Sequence, residues 1–392
     1  MNTLFYSPER LSSIMDKTGV AGLIATTAPN IQYLTGYRRG GDSLALVCRN
    51  DITHPELFVH SSNIDFCLED PIECVRIHPF GFFAREISVE TELDERENFI
   101  KNLHTHTRVN ANGWQLLAET LQSAGVKNAS IVTDGSIEGA GPLIQLLPEL
   151  KLLSRPDLFR QMRTIKTSEE IKRLSEAARI TESAIFTSAQ SACLGTTQRH
   201  LARLFAQTVL SSNAYLRSDN ASVDRGTALG NLNSPRDIVR EGSIIRYDVG
   251  VHYAGYASDM ARCFVFRNAS DKQMLIHNAL VAGLEKELEC IRPGIAACDV
   301  FDTTLNYVRK SGIPNYERHH VGHGIGIAGA GYEPPLLGPD NKAVLEPGMI
   351  LCVETPYVEL GFGCLHVEDM LLVTSDGYSL LTHSGRSLQL LP

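Results

Sequence analysis

Apolar positions near the start of the chain recur at helical spacing. Leu11, Ile14 and Met15 fall on one face of residues 8–19, and Gly19 supplies a stop. Strand-like apolar runs follow, VAGLIATT, SLALVC and PELFVH, with NIQYLTG between the first two. Such runs alternate with helical segments to about residue 153, which predicts a first α/β domain. From residue 156 to about 194 the pattern becomes a long charged helix. Within it Thr167 or Ser168 is placed to cap a new helix opening with Glu169 and Glu170, acids favoured in a first turn. This change sets a boundary near 160. The remainder mixes helices, about 197–212, 271–290 and 296–311, with strand-rich segments.

Those segments carry the chemistry. Asp248 lies in SIIRYDVGVHY and Asp259 in YASDMARCFVF, joined through residues 252–256 with a glycine at 255, a plausible hairpin. Two acids on paired strands can meet across the ladder. Glu354 ends MILCVE and Glu368 lies in CLHVEDMLLV, with ELGFG between, again the spacing of antiparallel neighbours. His323 comes from the glycine-rich GHGIG, read as a loop whose glycines let the backbone approach closely. An isolated strand acid is usually solvent-facing, and a lone histidine is usually a satisfied polar group. The joint set of four carboxylates and one imidazole is instead what a pair of divalent cations takes, because such acids repel one another without a counter-charge. Two metals activate water at neutral pH and polarise the carbonyl it attacks, so the set points to a hydrolase.

Composition narrows the picture. At 392 residues, two domains are the default, and 43% apolar with 21% charged residues is ordinary for a soluble globular protein. A net charge of -9 without long basic runs argues against a nucleic-acid surface. No apolar stretch reaches a membrane span, and MNTLFYSPERL lacks the pattern of a signal peptide, so a cytoplasmic location is expected. Nine cysteines without CxxC spacing read as reduced thiols and argue against a cysteine-ligated zinc site.

In order and spacing, YDVG, SDMAR, GHGIG, LEPGM, VETP and VED resemble the prolidase, aminopeptidase P and methionine aminopeptidase superfamily. The N-terminal ERLSSIMDKTGVAGLIATTAPNIQYLTGY resembles the creatinase-type domain of its prolidases, and RTIKTSEEIKRLSEAARIT the helix that opens their catalytic domain. The resemblance implies an α/β (α+β) fold. Residues 1–160 would form a creatinase-like N-terminal α/β domain, and 161–392 a pita-bread catalytic domain with a curved, largely antiparallel sheet flanked by helices. It implies two divalent ions, manganese first, with cobalt, zinc or iron as alternatives. Asp248 would chelate one ion, Asp259 and Glu368 would bridge both, and His323 would bind the second. Glu354 would serve as ligand and general base. It also implies a homodimer and a small peptide or amide substrate.

Three positions depart from the superfamily's pattern. Asn231 stands seventeen residues before Asp248, where a substrate-holding histidine is usual. Tyr332 precedes Glu333-Pro334-Pro335 where a second histidine is usual, and His366 replaces an arginine two residues before Glu368. His366 shares the Glu368 face of its strand. It reads either as a group contacting ligand or substrate, or as a structural hydrogen-bonding group. Tyr332 reads either as an oxyanion donor or as a packing residue. Of the pair before the loop, His319 is expected to line the pocket and His320 to be structural. Three functions compete: a peptidase cleaving before proline, a hydrolase of a small non-peptide C–N bond as in the creatinase and ectoine-hydrolase branches, and a binding module without catalysis. The complete ligand set weighs against the last.

Overall fold

The computed structural model describes residues 4–70, 73–135, 137–230 and 236–392. Asn231 lies outside them. The chain divides into two compact units, Met1–Arg163 and Thr164–Pro392.

The first unit is built on a six-stranded mixed sheet of β1 (Gly22–Ala25), β2 (Leu44–Cys48), β3 (Glu56–His60), β4 (Arg76–Phe80), β5 (Ser130–Thr133) and β6 (Lys151–Ser154), in the order β4-β3-β2-β1-β5-β6. β1 is buried throughout, as its unbroken apolar run requires. The amphipathic helix falls at Pro8–Thr18, capped by the Ser7 side chain and closed by left-handed Gly19. The segment NIQYLTG belongs to a helix, Ala28–Thr35.

The charged stretch after residue 155 is two helices, Pro156–Arg163 and Ser168–Gln190. Thr167 caps the second through a reciprocal capping box with Glu170, so the chain breaks where the cap begins. The second sheet contains β7 (Tyr215–Val223), β8 (Ile244–Tyr253), β9 (Tyr256–Ala257), β10 (Met260–Phe266), β11 (Gly322–Gly324), β12 (Glu333–Leu336), β13 (Ile350–Glu359), β14 (Gly363–Val373), β15 (Tyr378–Leu380) and β16 (Gln389–Leu391). Its main path is β12-β11-β13-β14-β10-β8-β7, antiparallel at every step.

Strand alternation sorts the side chains into layers. Ile245, Tyr247 and Val249 of β8, with Phe264 of β10, pack with Ala184, Ile185 and Phe205 from the helices Ser168–Gln190 and Gln198–Ser211. Leu351 and Val353 of β13, with Leu365 and Val367 of β14, pack with Leu280, Leu284 and Phe301 from the helices Asp271–Cys290 and Ala297–Lys310. The intervening positions carry Asp248, Glu354 and Glu368. The acids therefore occupy the sheet face opposite these helix layers. Among the described residues no helix is long and apolar enough to cross a membrane.

A buried ion network clamps β10 to β14 beside the acids. Arg262 Nη2 lies 2.6 Å from Asp369 Oδ1, and Arg262 Nη1 donates to the Glu368 carbonyl at 2.7 Å. Thr382 and Arg386 also bind the Asp369 carboxylate. Removing one member leaves an uncompensated buried charge. Asp369→Ala should therefore destabilise the Thr164–Pro392 unit by about 3–5 kcal/mol, read as a lower urea midpoint. A loss below about 1 kcal/mol, the worth of an exposed pair, would contradict this role for the clamp.

Candidate metal centre

The strand registers bring the acids into one row. Asp248 of β8 faces Ala261 of β10, Ala261 faces Glu368 of β14, and Glu368 faces Glu354 of β13. Asp259 is two residues before Ala261, in a break between β9 and β10, where the ladder is interrupted at Ser258 and Asp259. Ser258 fixes this break: its Oγ accepts from the Val251 amide at 2.9 Å and lies 2.6 Å from Thr181 Oγ1. A Cβ at Gly250 would collide with the Ser258 carbonyl, so the break requires glycine there.

His323 arrives on a strand, not on the expected loop. β11 pairs with β13, setting His323 opposite Cys352. Gly322 and Gly324 are essential because added side chains would meet the Cys352 and Pro334 carbonyls. His323 Nδ1 donates to the Gly324 carbonyl at 3.0 Å, which leaves Nε2 as a lone pair aimed at the acids. Nε2 lies 3.7 Å from Asp259 Oδ2 and 4.0 Å from Glu368 Oε1. Burial lowers the imidazole to about 4, so it is neutral near pH 7.

The electrostatics are those of a crowded anionic cavity. Burial, then the charges of Asp259, Glu354 and Asp248, hold Glu368 well above the usual carboxylate range. Burial and the neighbouring Asp248 and Glu354 raise Asp259 to about 7, against the opposing pull of Arg217. Arg217 Nη1 lies 2.6 Å from Asp259 Oδ2, and Arg246 contacts Asp248. For Glu354 burial is outweighed. His320 Nδ1 is 3.0 Å from Oε1, His366 Nε2 is 3.1 Å from Oε2, and Arg318 is 3.7 Å away, so this carboxylate sits well below its ordinary range.

His366 bridges two strands. Its Nδ1 lies 3.3 Å from Arg246 Nη2 and its Nε2 faces Glu354, with Asp248 Oδ2 at 3.8 Å from Nδ1. Tyr332 is half-exposed and stacks on His323, with ring centroids 3.8 Å apart. Burial, then Glu354, Asp259 and Glu368, push its hydroxyl up to about 12, so it remains a donor at neutral pH. The two histidines before the strand exchange places relative to expectation. His320 is buried against Glu354, whereas His319 is exposed and touches the edge of the His320 ring.

Arg217, Arg246 and Arg318 were missed from the sequence. Arg246 was findable, since it lies two residues before Asp248 on the same strand face. Arg217 was not, because it sits where the β7–β8 register shifts between Leu216 and Ser218.

The donor set fits divalent metal. Oxygen and imidazole donors converge in a buried space, the carboxylates destabilise one another, and among the described residues the His323 lone pair faces acceptors, with Asp259 Oδ2 at 3.7 Å. His323, Cys352 and Glu368 offer donor atoms all within 4.8 Å of one another, as do Asp248, His366 and Glu368.

Fold and donor cluster together define a metallohydrolase. Residues 172–375 match Metallopeptidase family M24, and the chain belongs to that family. It is 29% identical over 201 residues to an Xaa-Pro dipeptidase of Lactobacillus helveticus, a match spanning 50% of this chain and 54% of that protein. It is 25% identical over 370 residues to an uncharacterized peptidase of Staphylococcus aureus, covering 91% and 93% of the two chains. An Xaa-Pro dipeptidase from Bacillus anthracis has the same fold, with a TM-score of 0.79 at 21% identity over 98% of this chain and 99% of that one. The prolidase from Pyrococcus furiosus is similar in fold, with a TM-score of 0.73 at 21% identity over 95% and 99%.

The raised Asp259 gives a pH test. A carboxyl raised from 3.8 to about 7 on folding stabilises the folded, metal-free protein most below pH 4. That contribution is lost as pH rises through about 7. In chelator, wild-type melting temperature should therefore fall over this range more steeply than that of Asp259→Asn. Parallel profiles would refute the repulsion.

Proposed function

We propose that this protein is a dinuclear metal-dependent peptidase that hydrolyses the bond before proline in small Xaa-Pro substrates. The observation that carries the reading is the row of acids on neighbouring strands, completed by the His323 lone pair. Asp248 would hold one ion, Asp259 and Glu368 both, and His323 and Glu354 the second; the family resemblance puts manganese first, with cobalt, zinc or iron as alternatives. When bound, the ions supply Lewis acidity toward the substrate carbonyl and the attacking water.

The chain's own residues do the rest. Glu354 is held ionised by His320, His366 and Arg318, takes the proton of the attacking water and passes it to the leaving nitrogen. His366, fixed between Arg246 and Glu354, orients that carboxylate. The Tyr332 hydroxyl, kept protonated above His323, donates to the oxygen that develops negative charge. By the family resemblance alone Asn231 is a further proposed substrate contact, and His320, which faces Glu354, takes the pocket position expected for His319. The nine free cysteines suit a reducing cytoplasm, and the family resemblance suggests a homodimer.

A second reading, hydrolysis of a small non-peptide C–N bond, draws on one observation. The superfamily's arginine beside the last glutamate is replaced by His366, which is occupied with Glu354 and Arg246, removing a cation that could recognise a dipeptide carboxylate.

With manganese added, the protein should release proline from Xaa-Pro dipeptides, and Glu354→Gln should lower kcat about 10²–10⁴-fold. Absence of turnover across such a panel by metal-loaded protein would discard the peptidase reading. Turnover of amide or amidine compounds under those conditions would favour the second.

A further inference from the structure

We propose that Cys352 is a sixth donor, binding the ion at the His323 end and shifting the centre's preference from manganese towards zinc, cobalt or iron. This rests on the metal-centre reading above and specifies its selectivity.

Strand geometry places the thiol there. Cys352 is two residues before Glu354 on β13, so both side chains leave the same face, and its Cα is paired with that of His323. His323, Cys352 and Glu368 are almost wholly buried, and their donor atoms lie within 4.8 Å of one another. An ion binding nitrogen at ~2.0–2.1 Å and sulfur at ~2.3 Å in tetrahedral geometry holds such donors roughly 3.6 Å apart. An inward movement of roughly 1 Å brings the group to that spacing.

A second observation is independent of the cysteine. Because the Gly324 carbonyl can only accept, His323 Nδ1 carries the imidazole proton and Nε2 presents a lone pair. Among the described residues this atom's ion-pair contacts are the acceptors Asp259 Oδ2 at 3.7 Å and Glu368 Oε1 at 4.0 Å. A buried lone pair facing carboxylates is what a cation would satisfy.

Cys352 neighbours the acids Glu368 and Asp259, and among the described residues its Sγ makes a long 3.9 Å contact with the Asp259 carbonyl. On binding, the thiol proton would leave to solvent and the sulfur lone pair would form the metal bond. Thiolate is a softer donor than carboxylate and favours zinc, cobalt and iron over manganese.

Cobalt(II) provides the test because thiolate ligation gives a near-ultraviolet charge-transfer band, whereas oxygen and nitrogen donors give only weak visible bands. Metal-free wild type and Cys352→Ser are titrated with cobalt(II) while absorption is recorded. The expected result is visible bands in both proteins and the near-ultraviolet band in wild type alone. Visible bands without the near-ultraviolet band in wild type would overturn the thiolate and leave the five-residue centre intact. No cobalt spectrum in wild type would overturn the centre itself, and the cysteine proposal with it. If Cys352→Ser fails to fold, zinc–manganese competition on Cys352→Thr reads the same claim. The share of zinc bound should fall about tenfold, and an unchanged share would overturn the preference.

Discussion

Mutual repulsion among carboxylates on one buried sheet face is the constraint around which the Thr164–Pro392 unit is arranged. Glu368 and Asp259 are driven towards their protonated forms by burial and by one another, while Glu354 is kept ionised by two histidines and an arginine. Arg217 and Arg246 each touch one of the acids from outside the row. These cations lessen the repulsion. The arrangement is poor for folding stability and suited to taking up cations, a balance expected of a functional site.

The scaffold bears that strain through close backbone packing and buried pairs. Gly250, Gly322 and Gly324 admit neighbouring chain where a side chain would collide, and Thr181 with Ser258 secures the break that aims Asp259. Arg262 and Asp369 fasten β10 to β14 beside Glu368. A second buried pair, Lys166 with Glu333 at 3.0 Å, ties the start of the unit to β12, next to the strand that carries His323. Strands thus present Asp248, His323, Glu354 and Glu368, and a pinned break between strands presents Asp259, which is how a metal platform keeps its geometry.

Much of this was legible in sequence because strand periodicity is simple. Asp248, Glu354 and Glu368 alternate with apolar residues, so their common face and pairing follow from spacing. The helices Gln198–Ser211, Asp271–Cys290 and Ala297–Lys310 fall near their expected bounds. What stayed hidden depends on irregularities. The β7 register shift aims Arg217, the strand around His323 is three residues long, and its glycines concealed its pairing with β13. His320 and His319 are adjacent in sequence yet differ in burial because the chain enters β11 there. Cysteine spacing likewise concealed Cys352, since the partners of its thiol come from other strands.

The most direct measurement of the central claim is anomalous diffraction from crystals of protein loaded with manganese or cobalt, collected at that metal's absorption edge. Two anomalous peaks should appear within the row, one touching Asp248, one touching His323 and Glu354, with Asp259 and Glu368 contacting both. Loaded crystals with no peak among these side chains, or with a single ion away from Asp259 and Glu368, would contradict the account.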